Sequence, residues 1–428
     1  MQKTIGGVRL AHCKSTENMK TEDFPLSDLL TIPMSQSMGA PCDCLVKKGD
    51  TVTLGMKIGE SDKFMSAPIH SPASGTVEDI KDYRLFNGSS CKAVIIRTDG
   101  LQTVCPDVRP PEISDRQTFL NAVRESGCCG LGGAGFPTHV KLAFDPKKTH
   151  IDTLVINGAE CEPYITSDYR EFIENADDVV EGIKYIMDML SIPNCKIGIE
   201  SNKPAAIADM RSRTKAISGI DVVSLPSSYP QGAEKVLIYT CTGRIVAEGE
   251  LPSNKGIIVL NVSTAGFIMR YIKTGMPLVS KRITVDGTNV EKKGNYRTAI
   301  GTPISRILEH CGVNEPEKLL YGGPMMGVAV SSPEMPVIKT TNAITAFDKV
   351  PPTETTACIR CVRCIRACPV KLMPTSLESA FDRKDIPELQ RLKVNLCINC
   401  GCCTYVCPAN RHLAEKNQLA KGLIPRNK

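Results

Sequence analysis

Tryptophan is absent from the 428 residues, and aromatic side chains make up only 5% of them. No aromatic rings interleave with the basic residues and no DNA-reading motif occurs, which argues against a nucleic-acid partner. No stretch approaches the roughly eighteen uncharged apolar residues of a membrane-spanning helix, and the start MQKTIGGVRLAHCKSTENMK lacks the apolar centre of a secretory signal. A cytoplasmic chain is expected, attached to a membrane through partners only. With no export signal, the twenty cysteines are expected in a reducing compartment, as metal ligands or free thiols and not as disulfides.

The chain is too long for one core, and 42% hydrophobic with 23% charged residues is ordinary for a multidomain globular protein. Its net charge of +6 is unevenly spread. Residues 358–428 hold 13 Lys and Arg against 5 Asp and Glu, while the rest of the chain carries 39 against 41. The positive balance therefore belongs to the cysteine-rich end.

The expected fold class is multidomain α/β plus α+β. In residues 1–105 the segments VKKGDTV, LGMKIGE and SAPIHSPASGTVEDI alternate short β runs with glycine and aspartate corners. They resemble a biotinyl/lipoyl-type barrel-sandwich, whose carrier lysine would fall near Asp62-Lys63; the spacing onward to Ser74-Gly75 is one residue too long, so a structural β module is expected instead. Beyond a proline-rich linker at 106–111, helical and strand patterns alternate over residues 112–255. QTFLNAVRESG reads as a helix, HIDTLVING as a buried strand, ADDVVEGIKYIMDML as an amphipathic helix and KIGIES as a strand. That succession predicts a largely parallel sheet. Residues 256–335 read as a small α+β module with one helix at PISRILEHC, and 336–357 as a linker.

Two cysteine runs follow with identical spacing: Cys358, Cys361, Cys364, Cys368-Pro369 and Cys397, Cys400, Cys403, Cys407-Pro408. Three cysteines at intervals of three wrap a cuboidal cluster, and the cysteine before proline ligates the other cluster in two-cluster ferredoxins. Cys358, Cys361, Cys364 and Cys407 are thus expected on one [4Fe-4S] cluster, and Cys397, Cys400, Cys403 and Cys368 on the second. Zinc sites need neither the even triplets nor the Cys-Pro. This ferredoxin-like, α-helical module spans 358–412, before a basic tail at 413–428. Cys402 fits no ligand position.

Gly130-Leu-Gly132-Gly133-Ala-Gly135-Phe136-Pro137-Thr138-His-Val-Lys141 contains a formal G-x-G-x-x-G. A helix rather than a strand precedes it, and Pro137 follows at once, so it fails as a Rossmann fingerprint. Its glycines still let backbone N–H groups approach a phosphate, with Lys141 as a charged companion.

The loop GLGGAGFPTHVK resembles the flavin loop of the flavin-bearing subunit of respiratory complex I, and INGAECEPYITSDYR resembles the acidic motif that follows it there. With YPQGAEK, LNVSTAGF, the N-terminal GGV and the paired cysteine runs, the whole chain resembles the RnfC family, a component of the Rnf complex, which is an ion-translocating ferredoxin:NAD+ oxidoreductase. That resemblance implies FMN, two [4Fe-4S] clusters and NAD(H) as substrate, a flavin domain at 112–255, and a β-grasp-like module at 256–335. Other subunits of the complex, including an iron–sulfur subunit, are implied as partners, with ferredoxin reached directly or through them, at the cytoplasmic face of the membrane.

Carried over by position, Gly130, Gly132, Gly133, Gly135 and Lys141 would embrace FMN. Asn157, Glu160, Tyr229, Gly232, Asn261 and Thr264 would complete its pocket. Glu162, Phe136 and Phe144 would face the dinucleotide, with Glu162 and Lys141 in the catalytic roles. Three positions depart from the complex I pattern: Ala159 for an Asp, Ala233 for a Glu and Cys161 for a Ser. A cobalamin reductase of similar layout and a flavin-free electron-conducting adaptor are the alternative readings. Arg360, Arg363 and Arg366, then Arg383, Lys384, Arg391 and Lys393, and Lys421, Arg426 and Lys428 in the tail are expected to steer an acidic electron partner.

Overall fold

The computed structural model describes residues 6–85, 88–348 and 354–425; Arg426 and Lys428 of the expected basic tail lie outside them. Alternating apolar residues in the first 105 positions form two small sheets around one core. One sheet joins Leu29–Pro33, Ser90–Thr98, Gly75–Arg84 and Thr51–Val52, and the other joins Asp43–Cys44, Lys57–Glu60 and Ile69–His70. Leu30, Ile32, Val52, Ile58, Val77 and Ile96, drawn from both, are fully buried between them.

The central domain is an open parallel sheet in the order Ile220–Leu225, Asn194–Glu200, Thr153–Gly158, Ile257–Asn261. Its helices follow the periodicities in the sequence: Arg116–Glu125, Ala176–Leu190 and Pro204–Thr214. The expected boundary at 255/256 is wrong. Ile257–Asn261 pairs with Thr153–Gly158 along its whole length, and the helix Val262–Thr274 packs its Ala265 and Ile268 into the same core as Val179 and Ile183. A fully apolar strand such as IIVL has to be covered on both faces, and the helices packed on the two faces of the parallel sheet provide that cover.

A six-stranded sheet runs in the order Thr21–Asp23, Gly294–Ala299, Ser280–Asp286, Ala343–Phe347, Lys318–Tyr321, Val328–Ala329. Ala343–Phe347 lies in the middle, parallel to Ser280–Asp286, so residues 336–348 are not part of the linker expected at 336–357 from its composition. Val337 and Ile344 are fully buried. The segment before the first sandwich strand also leaves its expected domain. Val8 bridges to Tyr229, the Gly7 N–H donates to the Ala367 carbonyl at 2.9 Å, and Thr21–Asp23 forms the sheet edge.

The cysteine-rich end is helical, with Arg363–Ala367, Pro374–Asp382, Ile386–Arg391, Cys402–Tyr405 and Leu413–Gly422. The last of these is not a free basic tail. Its Ala420 is buried with Leu377, Ala380 and Leu389, because an apolar stripe on that helix closes the module.

Candidate functional site

From Thr153–Gly158 the chain moves to a neighbour on one side, then returns to Ile257–Asn261 on the other. Such a reversal marks the place where open parallel sheets bind ligands, in the crevice at the carboxyl ends of the strands. Asn157 and Asn261 are register partners at that end.

The glycine loop lies over the crevice. It closes on itself, with the Gly130 N–H donating to the Phe136 carbonyl at 2.9 Å and the Gly135 N–H to the Gly130 carbonyl at 3.2 Å. Thr264 Oγ1 accepts from the Leu131 N–H at 3.0 Å, and buried Lys281 donates to the Leu131 carbonyl at 2.8 Å. A Cβ on Gly132 would stand 3.0 Å from Asn261 Nδ2, so a larger residue would press on that amide. Gly132, Gly133 and Ala134 are exposed, and among the described residues their N–H groups have no partner. Three free backbone donors on a glycine turn form an anion-binding concavity, which fits a phosphorylated cofactor.

Asp168 fixes the floor. Its Oδ2 accepts from Asn261 Nδ2 at 2.6 Å and its Oδ1 from Ser263 Oγ at 2.7 Å, and burial pushes its pKa up. Asn157 donates through Nδ2 to the Gly232 carbonyl at 2.9 Å. Glu160 is buried, with Oε1 accepting from the Asp168 N–H at 2.7 Å, at the start of the helix Ser167–Glu174. Lys14 reaches in from the N-terminal segment to the carbonyls of Glu160 (2.8 Å), Glu162 (2.7 Å) and Ile165. Glu162 Oε1 accepts from the Met325 and Met326 N–H groups at 2.6 and 3.0 Å. This approach requires Gly323, whose Cβ would meet Glu162 Cγ at 2.2 Å.

Lys141 donates to Glu234 Oε1 at 2.9 Å and to the Val259 carbonyl at 3.1 Å, with the Phe136 ring 6.0 Å from its ammonium. Phe144 is turned elsewhere: the Arg116 guanidinium lies 4.6 Å from its ring and donates to its carbonyl. Cys128 and Cys129 behind the loop are fully buried, and burial raises the Cys128 thiol to about 12, which suits a structural thiol.

The eight cysteines of the two runs line two separate cavities. Cys358, Cys361, Cys364 and Cys407 line one cavity, and Cys368, Cys397, Cys400 and Cys403 line another. Each set surrounds a space; among the described residues no three metal-ligating side chains are drawn tightly enough to hold a single ion. Cys358 and Cys361 are exposed, whereas Cys368, Cys400 and Cys403 are buried. The second cavity abuts the central domain: Tyr229 Oη donates to the Cys400 carbonyl at 2.7 Å. Cys402 lines neither cavity and packs with Val8 and Tyr229.

Family models match the RnfC barrel sandwich hybrid domain at 2–101, the Nuo51 FMN-binding domain at 123–270 and the 4Fe-4S dicluster domain at 357–411. The RnfC component of the proton-translocating ferredoxin:NAD+ oxidoreductase complex of Clostridium ljungdahlii is 41% identical over 393 residues, covering 90% of this chain and 85% of that one. The chain belongs to the RnfC family. Other RnfC members are the corresponding component of the Na+-translocating complex of Acetobacterium woodii, 38% identical with 88% and 87% of the two chains covered, and that of an ion-translocating complex of Rhodobacter capsulatus, 36% with 96% and 81%. An NAD+-reducing [NiFe]-hydrogenase chain shares the fold at 17% identity, with a TM-score of 0.51 over 73% of this chain and 64% of that one. No helix among the described residues of this RnfC chain is long and apolar enough to cross a membrane.

Four residues that build the site escaped the sequence reading. Asp168 and Glu234 stand inside motifs already singled out, INGAECEPYITSDYR and YPQGAEK, so a signal existed. Lys14 and Lys281 are isolated lysines whose carbonyl partners lie more than a hundred residues away, and nothing local marks them.

Proposed function

We propose that this chain is the NAD(H)-facing flavin and iron–sulfur subunit of a membrane-associated ferredoxin:NAD+ oxidoreductase, holding one FMN and two [4Fe-4S] clusters. The observation that carries this is one continuous body with a phosphate-binding glycine loop at a strand-end crevice and two sets of four thiols, joined by Tyr229. FMN, when bound, exchanges a hydride with NAD(H) and single electrons with the clusters. Gly132 and Gly133 offer their backbone N–H groups to its phosphate, Gly130 and Gly135 close the turn that presents them, and Lys141 is a nearby positive charge. Asn157, Glu160, Tyr229, Gly232, Asn261 and Thr264 form the walls. Glu162 and Phe136 face the dinucleotide, and Phe144 joins them once Arg116 gives way.

The cysteines fall in a spatial order. Cys368, Cys397, Cys400 and Cys403 adjoin the flavin-binding half, whereas Cys358 and Cys361 are open to an electron partner. Arg360, Arg363 and Arg366 on that side are exposed and have no ion pair among the described residues, which favours an acidic iron–sulfur subunit or ferredoxin. Arg391 and Lys416, by contrast, are paired to Glu388 and to Asp382 and Glu378. We read the six-stranded unit as a β-grasp, on the strength of its central parallel pair Ser280–Asp286 and Ala343–Phe347 and its helix Ile304–His310. The unit with the clusters extends from 358 through that closing helix, and the chain is held at the cytoplasmic face by other subunits.

The test is chemical analysis of anaerobically purified protein. Eight irons per chain, acid-released FMN and bleaching of the flavin absorbance by NADH are expected. Four irons, or flavin that NADH leaves oxidised, would overturn the reading.

A further inference from the structure

Residues 6–14 form no helix and no sheet strand, and each of their backbone hydrogen bonds reaches another unit. The Gly7 N–H donates to the Ala367 carbonyl at 2.9 Å, one residue before Cys368. Val8 exchanges two bonds with Tyr229, donating at 2.8 Å and accepting at 2.9 Å, and Tyr229 Oη in turn donates to the Cys400 carbonyl. Farther along, the His12 carbonyl accepts from the Tyr164 N–H at 3.1 Å, and Lys14 holds the carbonyls of Glu160 and Glu162. One short thread thus crosses from the floor of the glycine-loop site to both cysteine runs.

Beneath the thread the second cysteine set is covered. Val8, Tyr229, Ala367, Cys400 and Cys402 are buried together, with Met325 and Ile398 packed against them. Cys368, Cys400 and Cys403 of the second set are buried, whereas Cys358 and Cys361 of the first are exposed. The two runs have the same spacing, so the difference in exposure comes from what packs over them. So close an approach requires Gly7: its φ is +98°, and a Cβ there would stand 2.4 Å from the Tyr229 carbonyl oxygen. A segment bonded only to its neighbours can lift away without unfolding either of them.

We infer that residues 6–14 are a strap that seals the second cluster from water, with Gly7 and Val8 as positioning residues that act through Ala367 and Tyr229. The first cluster stays open for exchange with a partner. The second passes electrons beneath a cover that keeps water and dissolved chelators out. The inference rests on the two-cluster reading of the cysteine runs.

The experiment follows iron release to EDTA from the full chain, purified and handled anaerobically. Wild type should lose its iron in two phases of similar size, the fast one removing the paramagnetic resonance signal of the first cluster and the slow one that of the second. In Gly7→Ala the slow phase should become about tenfold faster, as the loss of a hydrogen bond and its backbone fit predicts. The fast phase and the initial iron and flavin contents should match wild type. After brief exposure to D2O, the reduced second cluster of this variant should show stronger deuterium coupling than in wild type, which lowered stability elsewhere in the chain would not produce. Val8→Ala keeps every backbone bond of the strap, and it decides by the same two readouts if Gly7→Ala fails to load its clusters. A slow phase and a deuterium coupling that the variants leave unchanged, or both clusters lost in one phase from wild type, would overturn the strap. Wild type purified with iron for only one cluster would overturn the two-cluster reading, and the strap with it.

Discussion

Tyr229 Oη donates to the Cys400 carbonyl at 2.7 Å, with both groups buried. This bond joins a loop of the flavin-binding half to the second cysteine run. Removing the hydroxyl in Tyr229→Phe leaves a buried carbonyl unpaired at a cost of about 1–3 kcal/mol. Lower thermal stability and slower appearance of reduced clusters after NADH addition are expected, with the flavin reduced at its usual rate. Stopped-flow absorbance separates the two phases, and identical cluster kinetics would remove Tyr229 from the route.

Cys368→Ala should damage the cluster held by Cys397, Cys400 and Cys403, whose cavity Cys368 lines, and spare the one beside its own run. Electron paramagnetic resonance of the reduced variant reads this directly. Loss of the signal assigned to Cys358, Cys361 and Cys364 would contradict the exchange of ligands.

Glu162→Gln keeps an acceptor oxygen for the Met325 and Met326 amides but removes the charge. Flavin and iron contents should be unchanged, with NADH-dependent acceptor reduction about tenfold weaker, as expected for one charged contact. The same dependence on NADH concentration in both proteins would take Glu162 out of the dinucleotide site.

His70 is buried, its Nδ1 has no partner among the described residues, and burial with the neighbouring Lys339 and Lys57 charges holds its pKa well below the usual range. A depressed folded-state pKa means that the unfolded chain takes the proton first. The stability from neutral His70 is therefore fully present above pH of about 6.5 and lost below it, by at most about 1.4 kcal/mol per pH unit. Between pH 7.5 and 5.5 the wild type should lose more stability than His70→Gln. Parallel melting curves would show that His70 does not set the slope.

Charge reversal at Arg360, Arg363 and Arg366 should slow electron transfer to the isolated iron–sulfur partner and abolish its salt dependence, since screening acts over about 10 Å at 0.1 M salt. NADH reduction of the flavin should not change. Reversal at Arg391, already paired with Glu388, should do little by comparison.

How far the sequence revealed the molecule depended on the range of the forces involved. The strand Thr153–Gly158 and the helix Ala176–Leu190 announce themselves through their own periodicity, and the two cysteine runs through their repeated spacing. Ala343–Phe347 did not, because four buried residues between threonines and prolines look like a linker until Ser280–Asp286 and Lys318–Tyr321 appear on either side. Buried Lys281 and Lys339 are equally silent, since their partners are backbone carbonyls brought near only by the fold. The contact of Phe144 with Arg116 was silent for the same reason, since the two lie 28 residues apart.

The N-terminal segment gives the molecule an order of assembly. Gly7 and Val8 bind Ala367 and Tyr229, and a Cβ on Gly6 would meet the Cys368 carbonyl at 2.8 Å. These residues leave the ribosome long before their partners exist, and the loop they close spans most of the chain. The sandwich and the parallel-sheet domain can therefore form first, but the clasp through Gly7 shuts only after the first cysteine run has been made. Residues synthesised early are held waiting, and native docking of the iron–sulfur end becomes the event that completes the chain's oldest part.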